Sequence, residues 1–226
     1  MTVIEDALQS GQSNLSEHEA KRFLSGFGIS VCREALADGA ESAAAAAATI
    51  GFPVVLKVSG ANLPHKTEVG GVALNLKSEQ EVRAEAQRLL RIPGCEGLLV
   101  EEMVKGDREL VCGLVRDKQL GPCVMFGLGG IFTEALDDAV FRVAPVTVAE
   151  AGEMMAEIRS TKILGPFRGQ SPVDRKALAG ILVALGNIGM WHDAVQAIDI
   201  NPVKIRSDGT PVVVDALVTL QRPVVS

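Results

Sequence analysis

The chain has 226 residues, 47% hydrophobic and 22% charged, with a net charge of −6, the composition of a globular protein able to bury a substantial core. The acidic balance argues against a nucleic-acid partner or an anionic membrane surface, and no apolar run approaches the roughly 20 residues that span a bilayer. The opening MTVIEDALQSGQ lacks the order of a signal peptide and the four cysteines are widely spaced without a CxxC, so a cytoplasmic location with reduced, buried thiols is expected.

Residues 1–14 read as a loose polar arm. Ser16-Glu17-His18-Glu19 is a capping box that opens a helix, which stops at the glycines 26 and 28. Ile29–Arg33 reads as a short strand. Glu41–Ile50 carries six successive alanines, which favour helix; the run could mark a close-packed helix interface, but surface helix is the simpler reading. Pro53–Val58 is a buried strand with one lysine; a loop follows to Glu68, then a strand Val72–Leu76 and a helix Ser78–Arg91. Strands are expected at Gly97–Val104, Glu109–Arg116, Pro122–Phe126 and near Phe141–Val143, with helices at Val148–Ile158 and Asp174–Met190. The chain closes with β segments at Val195–Ile200, Val203–Arg206 and Val212–Val218. This order predicts an α+β fold of two lobes, about 15–103 and 104–223, that together form a single domain.

The closing hairpin gives a geometric argument for a site. Ser207-Asp208-Gly209 suits a three-residue loop with glycine in the left-handed region. That loop pairs Arg206 with Thr210, and counting back along the ladder sets Asn201 opposite Asp215, with Asp199 on the same face. An amide oxygen and carboxylates converging there suit Mg²⁺ held together with a nucleotide; the alternative is a turn-initiating asparagine and a solvated acid. Lys57, inside an apolar strand, needs an anion, either a nucleotide phosphate or a carboxylate such as Glu101 or Glu102. In Pro64-His65-Lys66-Thr67-Glu68-Val69-Gly70-Gly71 the paired glycines and Lys66 could face an anion or close a turn, and the spacing is not that of a Walker A loop. Glu101, Glu102 and Met103 end one strand and Glu109 begins the next, where backbone groups and a carboxylate could receive a purine and its ribose.

Taken in order, the segments EAKRFLSGFGISV, GFPVVLKV, LPHKTEVGGV, VEEMV, GDRELVCGLVRD, VMFGLGGIFTEALDD, FRVAP and AIDINPVKIRSDGTPVVVDA resemble the ATP-grasp domain of the ADP-forming (NDP-forming) acyl-CoA synthetases. The likeness is to the separate β subunit of ADP-forming acetyl-CoA synthetase and, more distantly, to the β subunit of succinyl-CoA synthetase. The resemblance implies a two-lobe ATP-grasp fold with nucleotide in the crevice, and ATP/ADP and Mg²⁺ as ligands. It further implies that Lys57 meets the phosphates, that the strand Glu101, Glu102, Met103 and Val104 receives adenine, and that Glu109 receives the ribose; Lys66, from its charge beside the paired glycines, is expected to bind the nucleotide as well. Asn201 and Asp215 match the magnesium ligands, Asp199 an acid that meets a travelling phosphohistidine, and His65 a histidine that can itself take the phosphoryl group. Glu134 and Arg142 lie on matching motifs and are expected near the phosphate. The CoA-binding domain is missing from the chain, so a CoA-binding α subunit with a phosphorylatable histidine is the implied partner in a hetero-oligomer. Two other classes stay open: a non-catalytic nucleotide-binding regulatory module of a protein acyltransferase, and a self-sufficient ATP-grasp ligase.

Overall fold

The computed structural model describes residues 3–60, 66–129, 138–167 and 169–221. The chain groups into two compact units: Ser16–His18 with Cys32–Met103, and Met1–Leu15 with Glu19–Val31 and Val104–Ser226. Glu19–Val31 thus groups with the C-terminal residues, whereas the sequence reading assigned it to the first lobe.

In the smaller unit the elements run β1 (Glu34–Ala37), α3 (Ala40–Ile50), β2 (Val54–Ser59), β3 (Val72–Leu76), α4 (Glu79–Leu89) and β4 (Gly97–Glu102). The strands form an antiparallel sheet in the order β1-β4-β2-β3. The period of two along β2 separates its faces. Val54, Leu56 and Val58 enter the core with Leu98 and Val100 of β4 and the buried residues of α3 and α4. Val55 and Lys57 therefore stand on the other face, with Leu99 and Glu101.

The alanine run of α3 is not plain surface helix. Ala43, Ala44 and Ala47 are fully buried, and with Ile50 they line the core stripe, because small side chains let a helix approach its neighbours closely. The expected strand over Ile29–Arg33 is likewise corrected: β1 lies at Glu34–Ala37, and of the expected span only Val31 forms a bridge, to Val213. The sequence EALA of β1 has no β-branched residue, so pairing with the edge of β4 decides its conformation rather than propensity.

The larger unit contains α1 (Val3–Gln9), the body of α2 (Glu17–Ser25), β5 (Arg108–Asp117), β6 (Gly121–Leu128), β7 (Ala139–Val143), α5 (Val148–Glu157), α6 (Arg175–Trp191), β8 (Val195–Ile205), β9 (Pro211–Val213) and β10 (Leu217–Leu220). Its antiparallel sheet has the order β10-β8-β5-β6-β7, with β9 also paired to β8. α5 and α6 contribute Met154, Met155, Leu178, Leu182 and Leu185 to a core shared with Leu110, Val124, Phe126, Ile198 and Ile200 of the strands. α5 begins at a capping box in which Thr147 and Glu150 satisfy each other's backbone N–H; α6 begins at Asp174, whose carboxylate accepts from the N–H groups of Lys176 and Ala177.

Residues 3–9 of the expected loose arm form α1, and Ile4 and Ala7 are buried in the larger core. Arg108 is fully buried. It donates to the carbonyls of Ile163, Gly165 and Ser171 at 3.4, 3.1 and 2.7 Å. Those bonds fasten the segment between α5 and α6, and they satisfy carbonyls that would otherwise lack a helix or sheet partner. No helix among the described residues is long and apolar enough to cross a membrane.

Candidate functional site

The lysine that the sequence places in an apolar strand is answered by two carboxylates. Val55 pairs with Glu101 and Lys57 with Leu99 across β2 and β4, so Lys57 and Glu101 are diagonal neighbours on the sheet face turned away from the helices. Lys57 Nζ lies 2.9 Å from Glu101 Oε2 and 2.5 Å from Glu17 Oε1; the three side chains are 10%, 2% and 4% exposed. Glu17 is the first residue of α2, and its other oxygen, Oε2, accepts from Lys66 Nζ at 2.5 Å. Next to it, His18 Nδ1 is 2.7 Å from Glu34 Oε1, and Glu34 is the register partner of Glu101. Two successive residues of one helical turn are therefore tied to this face.

Lys66 reaches Glu17 because a tight turn closes behind it. The N–H of Gly71 donates to the carbonyl of Lys66 at 2.7 Å, that of Gly70 to Thr67 at 3.2 Å, and Val58 N–H donates to Gly71 at 2.9 Å. A Cβ at Gly71 would stand 2.7 Å from Val58 Cγ2 and 2.9 Å from the Lys66 carbonyl, and Gly70 has φ +66, so both positions require glycine. Of the two readings of these glycines, the turn is the one realised: their N–H groups are spent on the loop's own carbonyls. What the loop presents is the ammonium group of Lys66.

The acidic strand belongs to the larger unit. Gly209 has φ +93, Gly209 N–H donates to Arg206, and Arg206 N–H donates to Thr210. The ladder then runs through Ile205↔Pro211 and Val203↔Val213, the register counted from the sequence. Beyond Val214, whose N–H donates to the Pro202 carbonyl at 3.3 Å, the ladder is interrupted. It resumes in the same register with Leu217↔Asp199. Asn201 and Asp215 fall in this interruption, which also holds the bulge where β8 carries one residue more than β5, between Leu110↔Val203 and Cys112↔Ile200. Ile198 and Ile200 are buried while Asp199 and Asn201 are exposed, so the two polar residues share the face opposite the core. Asp199 pairs laterally with Gly113 of β5, where a Cβ would stand 3.0 Å from the Ile198 carbonyl.

Desolvation, and secondarily the negative charge of Asp215, raise the Asp199 carboxyl above its ordinary value although the residue as a whole keeps contact with solvent. The charge of Asp215 thus disfavours ionisation of Asp199, and a hard divalent cation would relieve it; Asn201 and Asp215, with Asp199 adjacent, offer oxygen donors of the kind Mg²⁺ takes.

The other sequence-selected residues have simpler surroundings. Glu109 pairs in register with Lys204, 2.8 Å away. Glu102 accepts from Arg33 Nε at 3.1 Å, and the N–H of Met103 donates to the Pro53 carbonyl at 3.3 Å. Val104 is buried. Arg142 pairs with Glu157 and donates to the carbonyl of its neighbour Phe141. His65 and Glu134 lie outside the described residues. The residue the sequence reading did not single out is Glu17, legible only as part of a cap: its partner Lys57 is 40 positions away, and only the fold brings them together. All four cysteines are free thiols, three of them buried, and burial pushes Cys112 up to about 12.

A family model described as an ATP-grasp domain matches residues 6–220. The chain is 39% identical over 213 residues to the acetate–CoA ligase [ADP-forming] I subunit beta of Pyrococcus furiosus, a match covering 91% of both proteins. It is also 39% identical over 217 residues to acetate–CoA ligase [ADP-forming] I of Archaeoglobus fulgidus, covering 93% of this chain but 32% of that protein. The chain thus spans about a third of the length of that relative and nearly all of the separate beta subunit. Among solved structures it is similar to the dinucleotide-forming acetyl-coenzyme A synthetase 1 of Ca. Korarchaeum cryptofilum, in complex with coenzyme A and Mg-AMPPCP, whose phosphohistidine segment points towards the nucleotide-binding site. The TM-score is 0.87 and the identity 40%, over 97% of this chain and 98% of that one.

Proposed function

Because the chain belongs to the ATP-grasp domain family, we propose that it is the nucleotide-binding β subunit of an ADP-forming acyl-CoA synthetase of the acetate type. In this reading it exchanges a phosphoryl group between a phosphohistidine and ADP, and it acts with a CoA-binding partner subunit. The observation that carries the reading is the buried Lys57 beside Lys66, with both ammonium groups on one carboxylate. Two cations converging on one anion in a low-dielectric setting form a ready site for phosphate oxygens.

The overall reaction is acyl-CoA + ADP + phosphate ⇌ acid + CoA + ATP. On the partner, acyl-CoA and phosphate give an acyl phosphate, which passes its phosphoryl group to a histidine. That N–P bond then breaks as a P–O bond forms to the terminal phosphate of ADP, either directly or by way of His65. Lys57 and Lys66 hold the phosphate oxygens and balance charge as the phosphoryl group moves. Asn201 and Asp215 would hold Mg²⁺, which when bound neutralises charge on the terminal phosphates. Asp199 meets the incoming phosphohistidine. Glu109 takes the ribose hydroxyls, exchanging Lys204 for them, and the strand end Glu101–Val104 takes adenine. Acid recognition belongs to the partner.

The test is reconstitution. The purified chain should bind ADP with Mg²⁺ but form no ATP from acetyl-CoA, ADP and phosphate until a CoA-binding subunit with a phosphorylatable histidine is added. ATP formation by the isolated chain would refute the division of labour.

A further inference from the structure

We propose that Glu17 is an internal anion that guards the lysine pair: its carboxylate stands where two phosphate oxygens would bind, a nucleotide enters by displacing it, and inorganic phosphate alone does not. The proposal rests on the nucleotide reading above and adds a specificity-determining residue to it.

The geometry separates two kinds of carboxylate around Lys57. Glu101 comes from the adjacent strand, is 2% exposed at its side chain, and lies 2.9 Å from Nζ. It is the partner the buried lysine requires. Glu17 comes from the first turn of a helix and adds a second, shorter contact, with one oxygen 2.5 Å from Lys57 Nζ and the other 2.5 Å from Lys66 Nζ. It bridges two ammonium groups, which is the contact a phosphate makes through two of its oxygens. Both anions cannot hold the same pair, since like charges at that separation in a poorly solvated place repel strongly. Glu17 and a phosphate are therefore alternatives.

The consequence is selectivity among anions. Inorganic phosphate would gain at this pair little more than Glu17 gives up, and it would have to break contacts that are already formed within the chain. A nucleoside diphosphate brings base and ribose contacts that Glu17 does not contest, so its net gain remains. For an enzyme that handles free phosphate in the same reaction, this keeps phosphate off the lysines that serve ADP.

Titration calorimetry of the full chain with ADP and Mg²⁺, with and without millimolar inorganic phosphate, tests the proposal. Wild type should bind ADP with an affinity indifferent to phosphate. Glu17→Gln removes the competing charge and should tighten ADP by at least about tenfold, since both of its charge-assisted contacts are weakened, while making ADP binding sensitive to phosphate. Glu17→Asp keeps the charge but is one methylene shorter and cannot span both lysines; it too should tighten ADP and admit phosphate, which a diffuse charge effect would not produce. If wild type binds ADP and both variants bind it equally or more weakly, still indifferent to phosphate, the guarding role is wrong and the nucleotide reading stands. If neither wild type nor the variants bind ADP with Mg²⁺, the nucleotide reading falls and this role falls with it.

Discussion

Lys57→Met withdraws the ammonium group from between Glu101 and Glu17 while keeping most of the side chain's volume. Glu101, 2% exposed, loses the partner that lies 2.9 Å away, whereas Glu17 keeps Lys66 at 2.5 Å. Removing one member of a buried pair costs about 3–5 kcal/mol, and because Glu17 keeps Lys66 the low end, about 3 kcal/mol, applies. In a chain of 226 residues that corresponds to a melting temperature lower by roughly 6–12 °C. The sole tryptophan, Trp191, lies in α6 of the larger unit, so its fluorescence reports on the wrong unit. Far-UV circular dichroism combined with hydrogen exchange of Val54–Ser59 and Gly97–Glu102 is the suitable assay. The double variant Lys57→Met/Glu101→Leu removes the facing carboxylate as well and should recover part of the loss, since an apolar pair of similar volume replaces a buried ion pair at little cost. A single variant that melts within about 1 °C of wild type, with exchange in both strands unchanged, would refute the reasoning.

Arg108→Met should cost about 3 kcal/mol by leaving three carbonyls without their donor, and hydrogen exchange should rise first across residues 161–173. Gly209→Ala should destabilise by at least ~2 kcal/mol in urea titrations, because φ is +93 and the new Cβ would stand 2.1 Å from the Pro172 carbonyl. Asp199 has a carboxyl raised above 3.8, so its contribution is present at acid pH and is lost as pH rises through its folded-state value. Asp199→Asn should accordingly melt higher than wild type at neutral pH, with the gap closing as pH falls below the ordinary carboxylate range, and it should lose phosphoryl transfer. Asp215→Asn and Asn201→Ala should each weaken Mg²⁺-dependent ADP binding by on the order of 10–100-fold, read by calorimetry, without lowering the melting temperature comparably.

Where local chemistry dictates geometry, the sequence was sufficient. Gly209 admits the left-handed turn, and the register of β8 against β9 and β10 follows from that single loop. The apolar spacing of β2 marked Lys57 as a residue in need of an anion. What the sequence could not supply was set by distant contacts. β1 is a strand because β4 offers it an edge, not because EALA favours one. α1 is ordered because Ile4 and Ala7 find the larger core. The alanines of α3 are half buried because α4 and the sheet pack against them. Glu17 belongs to this class: within its own helix it is an acid at a favourable N-terminus, and only the approach of β2 and of the turn after Lys66 makes it a counter-ion to both lysines.

The most direct test is the structure of the chain crystallised with ADP and Mg²⁺. The account predicts the ion at about 2.1 Å from the Asn201 amide oxygen and an Asp215 carboxylate oxygen, with the diphosphate on Lys57 and Lys66. An ion held by other residues, or a nucleotide bound away from both lysines, would contradict it.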